Sequence, residues 1–128
     1  MRNLKHCLII DDDTDDQEIF MLCMNAIDST ITCTTANNGV EAVKLLEANP
    51  NYQPGYIFID MNMPKMNGLE CLKRIKGMER LSQSKVYIYS TTSEKVVVKE
   101  SKDLGADDFI VKPTKIFDIK ARLAQIFE

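Results

Sequence analysis

Five short runs rich in β-branched and aromatic residues recur along the chain, at residues 4–10, 31–36, 56–60, 86–89 and 109–111. Each is short, apolar and bounded by polar residues, the signature of a buried strand. The stretches between them change to helical spacing. Asp13 or Thr14 can cap a helix running to about residue 26. On it Ile19, Leu22, Cys23, Ala26 and Ile27 follow the i, i+3, i+4, i+7, i+8 pattern of a core-facing stripe. Asn38-Gly39 opens a second helix with Val43 and Leu46 inward, and Asn49-Pro50 ends it. A third helix carries Leu69, Leu72 and Ile75, a fourth spans roughly 94–104 before Gly105, and a fifth, roughly 114–127, buries Ile116, Ile119, Leu123 and Ile126. Strict β-α alternation predicts an α/β domain with a parallel sheet and helices on both faces. The five units use residues 1–128, so a single domain with no effector domain is expected.

Three of the apolar runs end in charge: LIIDD delivers Asp11 and Asp12, YIFID delivers Asp60, and FIVK delivers Lys112. Ligands of open α/β sheets collect outside the carboxyl ends of the strands. Three carboxylates and one ammonium crowded there are costly unless they pair or hold a cation.

Composition narrows the possibilities. The chain has 45% hydrophobic and 27% charged residues, ordinary for a globular domain able to build its own core. No apolar run approaches the roughly 18 residues of a membrane span, and the N-terminal apolar stretch is too short for a signal peptide, so cytoplasmic residence without membrane attachment is the default expectation. The net charge is −3 and the lysines and arginines are scattered, which leaves no footprint for nucleic acid. Cys7, Cys23, Cys33 and Cys71 form no CxxC pair and His6 is the single histidine, so a zinc site is not expected; Cys7, Cys23 and Cys33, in apolar contexts, read as reduced core thiols and His6 as a surface residue. The methionines at 61, 63 and 66 read as adaptable loop packing. Asp15 and Asp16 read as acids favouring a helix N-terminus.

A nucleotide-binding sheet needs a Gly-, Ser- or Thr-rich loop after its first strand. Here that loop is Asp11-Asp12-Asp13, which repels phosphate but suits a hard divalent cation such as Mg²⁺. Asp60 then becomes the natural nucleophile, since a carboxylate can accept a phosphoryl group as an acyl phosphate. Lys112 supplies a cation, and Ser90, ending the strand between them, a hydroxyl.

Asp11-Asp12, Asp60, Ser90 and Lys112-Pro113 together resemble the receiver domain of two-component response regulators, the CheY-like family, along essentially the whole chain. The resemblance implies a doubly wound five-stranded parallel sheet of order 2-1-3-4-5. It implies that Asp60 is the phosphoacceptor, that Asp11, Asp12, Asp60 and the backbone carbonyl of Asn62 hold Mg²⁺ or Mn²⁺, and that Lys112 pairs with the phosphoryl group. Ser90 and Phe109 fall on the family's switch positions, and Pro113 on its cis-proline. The implied partners are a histidine kinase or histidine phosphotransfer protein and a downstream protein target, with the chain a monomer or a weak phosphorylation-dependent dimer. It would catalyse only its own phosphorylation and dephosphorylation. Switching would bias the surface around the fourth helix, the fifth strand and the fifth helix, and Val96-Val97-Val98 weakens that fourth helix.

Two positions depart from the family's common pattern. Thr91 stands where Ala or Gly is usual, and with Thr92 it is expected to slow loss of the phosphoryl group. Phe109 lacks the hydroxyl of the common Tyr. A phosphorylation-independent scaffold is the competing reading, and the complete acid set with its lysine argues against it. An aspartate-nucleophile phosphatase would need a second aspartate where Asn62 stands.

Overall fold

Strand residues in this chain alternate between two cores, because successive side chains of a strand point to opposite faces. The computed structural model describes residues 3–127. In chain order its elements are β1 (Asn3–Ile10), α1 (Thr14–Ile27), β2 (Thr32–Ala36), α2 (Gly39–Ala48), β3 (Pro54–Ile59), α3 (Gly68–Lys76), a 3₁₀ turn (Glu79–Leu81), β4 (Lys85–Ser90), α4 (Lys95–Asp103), β5 (Asp108–Val111) and α5 (Ile116–Phe127). All strand pairs are parallel, in the order β2-β1-β3-β4-β5, as expected.

Leu8, Ile10, Ile57, Ile59, Val86, Ile88 and Phe109 face one core, closed by α2, α3 and α4. Cys7, Ile9, Phe58, Tyr89 and Ile110 face the other, closed by α1 and α5. The second core is aromatic at its centre. Phe58 meets Phe20 edge-on at 4.8 Å between centroids and stacks on Tyr87 at 5.2 Å, an arrangement worth about 0.5–1.5 kcal/mol per pair beyond the area buried.

The α1 stripe is rotated from its expected position. Gln17, Phe20, Cys23 and Met24 are buried, whereas Leu22 is 69% exposed and Ala26 is exposed. Phe20 and Met24 offer more apolar surface than Ile19 and Ala26, and the aromatic cluster around Phe58 fixes the rotation. In α5, Ile119 and Leu123 are buried as expected, but Ile116 is 57% exposed, because the helix begins at Ile116 rather than Thr114 and its first turn lies exposed. Nor is His6 a surface side chain. It is half-buried and hydrogen-bonded to Thr32 (2.7 Å), Thr34 (3.0 Å) and the Tyr52 hydroxyl (2.6 Å). The threonines of β2 provide polar partners on the face that His6 shares, and burial pushes its pKa down.

The rotation of α1 can be measured. Phe20→Ala is expected to lower the unfolding free energy in urea by about 3–5 kcal/mol, and Leu22→Ala to change it by no more than about 0.5 kcal/mol. Equal losses would mean that the helix packs on its other stripe.

Candidate functional site

Backbone pairing continues one residue past three strands and fixes where the charges stand. Asp11 N–H donates to the Ala36 carbonyl (3.0 Å), Asp60 N–H to the Ile10 carbonyl (2.9 Å) and Lys112 N–H to the Ser90 carbonyl (2.8 Å). Asp11, Asp60 and Lys112 are therefore held by the sheet rather than by free loops. Asp13 caps α1, its carboxylate accepting from the N–H groups of Asp15 (2.9 Å) and Asp16 (3.2 Å), while the Asp13 N–H donates to the Asp11 carboxylate (3.0 Å).

The segment after β3 is equally constrained. Gly68 N–H donates to the Met61 carbonyl at 2.9 Å. A Cβ at position 68 would stand 2.5 Å from the Asp60 carbonyl oxygen and 2.8 Å from Met61 Cα, so only glycine lets α3 start this close to the acidic strand end. Lys65 takes a left-handed turn (φ 69°), and Met61 and Met63 are buried in the core as packing residues.

Asp11, Asp12 and Asp60 offer carboxylate oxygens that all lie within 4.8 Å of one another. They border an open cavity of about 370 Å³ lined by Asp12, Asp13, Asp16, Asp60, Asn62, Thr91 and Lys112. Lys112 Nζ lies 2.8 Å from Asp11 Oδ2, 2.9 Å from Asp16 Oδ2 and 3.7 Å from Asp60 Oδ1. It also sits over the Tyr89 ring, 5.5 Å from the centroid, within reach of a cation–π attraction. Burial alone would lower the Lys112 pKa, but the carboxylates of Asp11, Asp16 and Asp60 outweigh it and raise it. The Asp60 pKa is raised as well, which for an acid disfavours the charged form. Burial pushes it up to about 6, Lys112 opposes that, and Asp11 reinforces it. Asp11 is raised too, mainly by burial and against the pull of Lys112. One ammonium does not neutralise this set. A compact, oxygen-only, anionic cluster beside solvent-exposed Asp12 has the chemistry of a Mg²⁺ or Mn²⁺ site.

Ser90 and Phe109 lie on the other side of the sheet's end from Lys112. Ser90 has the parity of Val86 and Ile88, which face α2–α4, whereas Lys112 has the parity of Ile110, which faces α1 and α5. The Ser90 side chain is fully buried, and its hydroxyl is the one buried side-chain polar atom among the described residues without a hydrogen-bond partner. It is near enough to Asp60 to favour the charged carboxylate slightly, without a well-formed bond. Phe109 is buried in the core beneath α4, already inside rather than waiting at the surface. α4 itself is poorly anchored: its N-cap Glu94 makes no side-chain cap bond, Ser101 is its sole fully buried residue, and Val96 is exposed. Thr91 lines the cavity, whereas Thr92 is half-buried and outside its lining. Among the described residues there is no cis peptide bond, so Lys112-Pro113 is trans, against expectation. The trans form is the intrinsically favoured one by about 0.5–1 kcal/mol.

Asp16 and Gln17 have roles that the sequence pattern concealed. Asp16 is more than a helix-start acid: one turn into α1, it is a second anchor for Lys112. Gln17, buried on the inner stripe of α1, donates through Nε2 to the Asp11 carbonyl (2.6 Å) and to Asn37 Oδ1 (3.0 Å), tying the acidic loop to the loop after β2. The available signal was position: Asp16 and Gln17 fall three and four residues after the cap Asp13, where side chains of the first turn reach back over the sheet edge.

With this sheet and this acidic edge in place, comparison with known proteins converges. The family model of the response regulator receiver domain matches residues 7–124. The rice two-component response regulator ORR5 (Oryza sativa subsp. japonica) is 29% identical over 121 residues, covering 94% of this chain and 87% of that protein. Among solved structures, the CheX-CheY-BeF3-Mg+2 complex from Borrelia burgdorferi matches with a TM-score of 0.76 at 28% identity, over 96% of this chain and 89% of that one. The phosphorylated cyanobacterial phytochrome response regulator RcpA shares the fold, with a TM-score of 0.86 at 24% identity over 95% and 90% of the two chains. The chain belongs to the response regulator receiver domain family, the signalling module of two-component systems.

The raised pKa values of Asp60 and Asp11 make stability depend on pH. Because Asp60 holds its proton more tightly when folded, the folded state binds more protons than the unfolded one between about pH 4 and pH 6. Without divalent ions, wild-type stability should fall as pH rises through that window and level off above it. Asp60→Asn removes the burdened charge. It should stabilise the protein by about 1–3 kcal/mol at pH 8 and by much less at pH 4, measured by urea unfolding in a chelator. An equal gain at both pH values would show that the Asp60 charge is not burdened by the fold.

Proposed function

We propose that the chain accepts a phosphoryl group on Asp60 from a phosphohistidine donor and passes the change to a partner protein through the surface around α4, β5 and α5. The observation that carries this reading is Asp60 itself: a buried carboxylate held by the sheet, with Asp11 and Asp12 oxygens within 4.8 Å and the Lys112 ammonium at 3.7 Å. With a pKa near 6, Asp60 is largely ionised at neutral pH and able to attack phosphorus. Its carboxylate oxygen forms the new P–O bond as the donor's N–P bond breaks and the imidazole leaves.

Asp11, Asp12 and Asp60, with the Asn62 carbonyl, would hold Mg²⁺, which when bound neutralises the carboxylates and lets an anionic phosphoryl group approach. The chain's own residues do the rest. Lys112, pinned by Asp11 and Asp16, is placed to pair with a phosphoryl oxygen on Asp60. Ser90, whose buried hydroxyl lacks a partner, is placed to donate to another. Such a bond satisfies an orphaned buried group, a gain of about 1–3 kcal/mol available only in the phosphorylated state. With Phe109 already buried, the remaining adjustment falls on Ser90 and on weakly anchored α4.

The donor's docking surface follows from continuity. Asp16, Thr91 and Lys112 line both the Asp60 cavity and a neighbouring pocket that reaches Ile19 and Ile116. Beyond it lies an apolar groove between α1 and α5 that includes Leu22 and Ala26. A helix presenting a phosphohistidine can rest in this groove with its imidazole directed at Asp60. The exposed first turn of α5 and the exposed residues of the α1 stripe thereby gain a purpose.

Incubating the chain with acetyl phosphate and Mg²⁺ should add one phosphoryl group by intact mass. Asp60→Asn and chelation should each abolish the gain, whereas Lys112→Ala should retain it while losing the response of α4 in amide exchange. Absence of phosphorylation with every donor, phosphohistidine proteins included, would favour a phosphorylation-independent scaffold. Thr91 stands in the cavity wall, where water must enter to hydrolyse the acyl phosphate. Thr91→Ala should shorten the lifetime of phospho-Asp60 several-fold in a chase after donor removal, and an unchanged lifetime would remove Thr91 from the path of water.

A further inference from the structure

One cluster of reactive side chains stands apart from the acidic edge. Cys7 in the middle of β1 and Cys33 in β2 are direct register partners. Their sulfurs lie 3.1 Å apart. Neighbouring strands run about 4.7–4.9 Å apart, inside the span of about 4.4–6.8 Å between Cα atoms that a disulfide bridges. Closing the sulfurs to bonding distance takes about 1 Å of motion, which side-chain rotation can supply.

We propose that Cys7 and Cys33 are a reversible thiol-oxidation site, forming an intramolecular disulfide across β1 and β2 in response to a peroxide. Access is asymmetric in a way that suits the chemistry. β2 is an edge strand and Cys33 is half-buried, so an oxidant can reach it, whereas Cys7 is fully buried on the inner strand. The hydrogen bond from the Cys7 thiol lowers the pKa of Cys33, while that same bond and burial raise the pKa of Cys7. Cys33 is therefore the attacking thiolate and Cys7 the resolving thiol.

The chemistry balances in two steps. The Cys33 thiolate attacks one peroxide oxygen, the O–O bond breaks, and the sulfur is oxidised to a sulfenic acid as the other oxygen takes up a proton and leaves as water. Cys7 Sγ then attacks Cys33 Sγ, the S–S bond forms, the S–O bond breaks, and the hydroxyl leaves with the Cys7 proton as a second water. A dithiol reductant returns both thiols. Cys23 and Cys71, buried on α1 and α3, have no sulfur partner among the described residues and serve as internal controls.

The test is titration of the reduced full chain with hydrogen peroxide, followed by intact mass and non-reducing peptide mapping. The expected result is loss of two hydrogens, a peptide linking Cys7 to Cys33, reversal by dithiothreitol, and no such loss in Cys33→Ser. Cys7→Ala, which lacks the resolving thiol, should instead leave Cys33 as a sulfenic acid that a dimedone probe captures. An unchanged wild-type mass, a link through Cys23 or Cys71, or oxygen gain on Cys33 without hydrogen loss would each overturn the proposal. Cys33 borders Thr32 and Thr34 on the edge strand, so serine at this position keeps the local character of β2.

Discussion

The interaction on which this edge of the molecule depends is the ion pair between Lys112 and Asp11. The two residues are 101 positions apart in sequence and end strands separated by two others in the sheet. Each charge is costly in this buried setting and is offset chiefly by the other, with Asp16 and Asp60 adding to the hold on Lys112 and the Asp13 N–H to that on Asp11. Asp16 shares Lys112 and so draws the first turn of α1 to the sheet edge, alongside the aromatic packing that fixes the rotation of that helix. Asp60 stands slightly outside this arrangement, at 3.7 Å rather than hydrogen-bonding distance. Of the three carboxylates around Lys112 it is the one held farthest from the ammonium.

Much of this was legible in the sequence. The five apolar runs, their parallel arrangement and the strand-end acids follow from short-range patterning, and short-range patterning is what a chain exposes to inspection. The acid cluster was legible because three aspartates in a row after a strand are hard to explain as solvation alone. What escaped notice was decided by tertiary packing. The face that α1 buries depends on an aromatic cluster assembled from Phe20, Phe58 and Tyr87 on three different elements. Asp16 and Gln17 looked like an ordinary first turn because their partners, Lys112, Asn37 and the Asp11 carbonyl, lie on other elements. The burial of His6 rests likewise on threonines of β2 and on Tyr52, forty-six residues away.

α4 shows the two levels agreeing. Its run of valines weakens the helix locally, and its uncapped start and shallow burial weaken it in the fold. Gly105, at φ 101°, ends it in a conformation that few other residues adopt. A helix with a defined C-terminal end and little holding it in place is suited to shift, and it packs on the face towards which Ser90 and Phe109 point.

The alternation of strand side chains between two cores also bears on how such a protein can change over generations. Residues of the α1–α5 layer and of the α2–α4 layer share few neighbours, because the sheet lies between them. Substitutions in separate, non-touching layers add nearly independently. Packing beneath α1 can therefore change with little effect on packing beneath α4, whereas α5 borders both the groove proposed for the donor and the surface proposed for the target and couples the two. That partial independence comes from the pleat of a β-strand, and α5 is the element at which it ends.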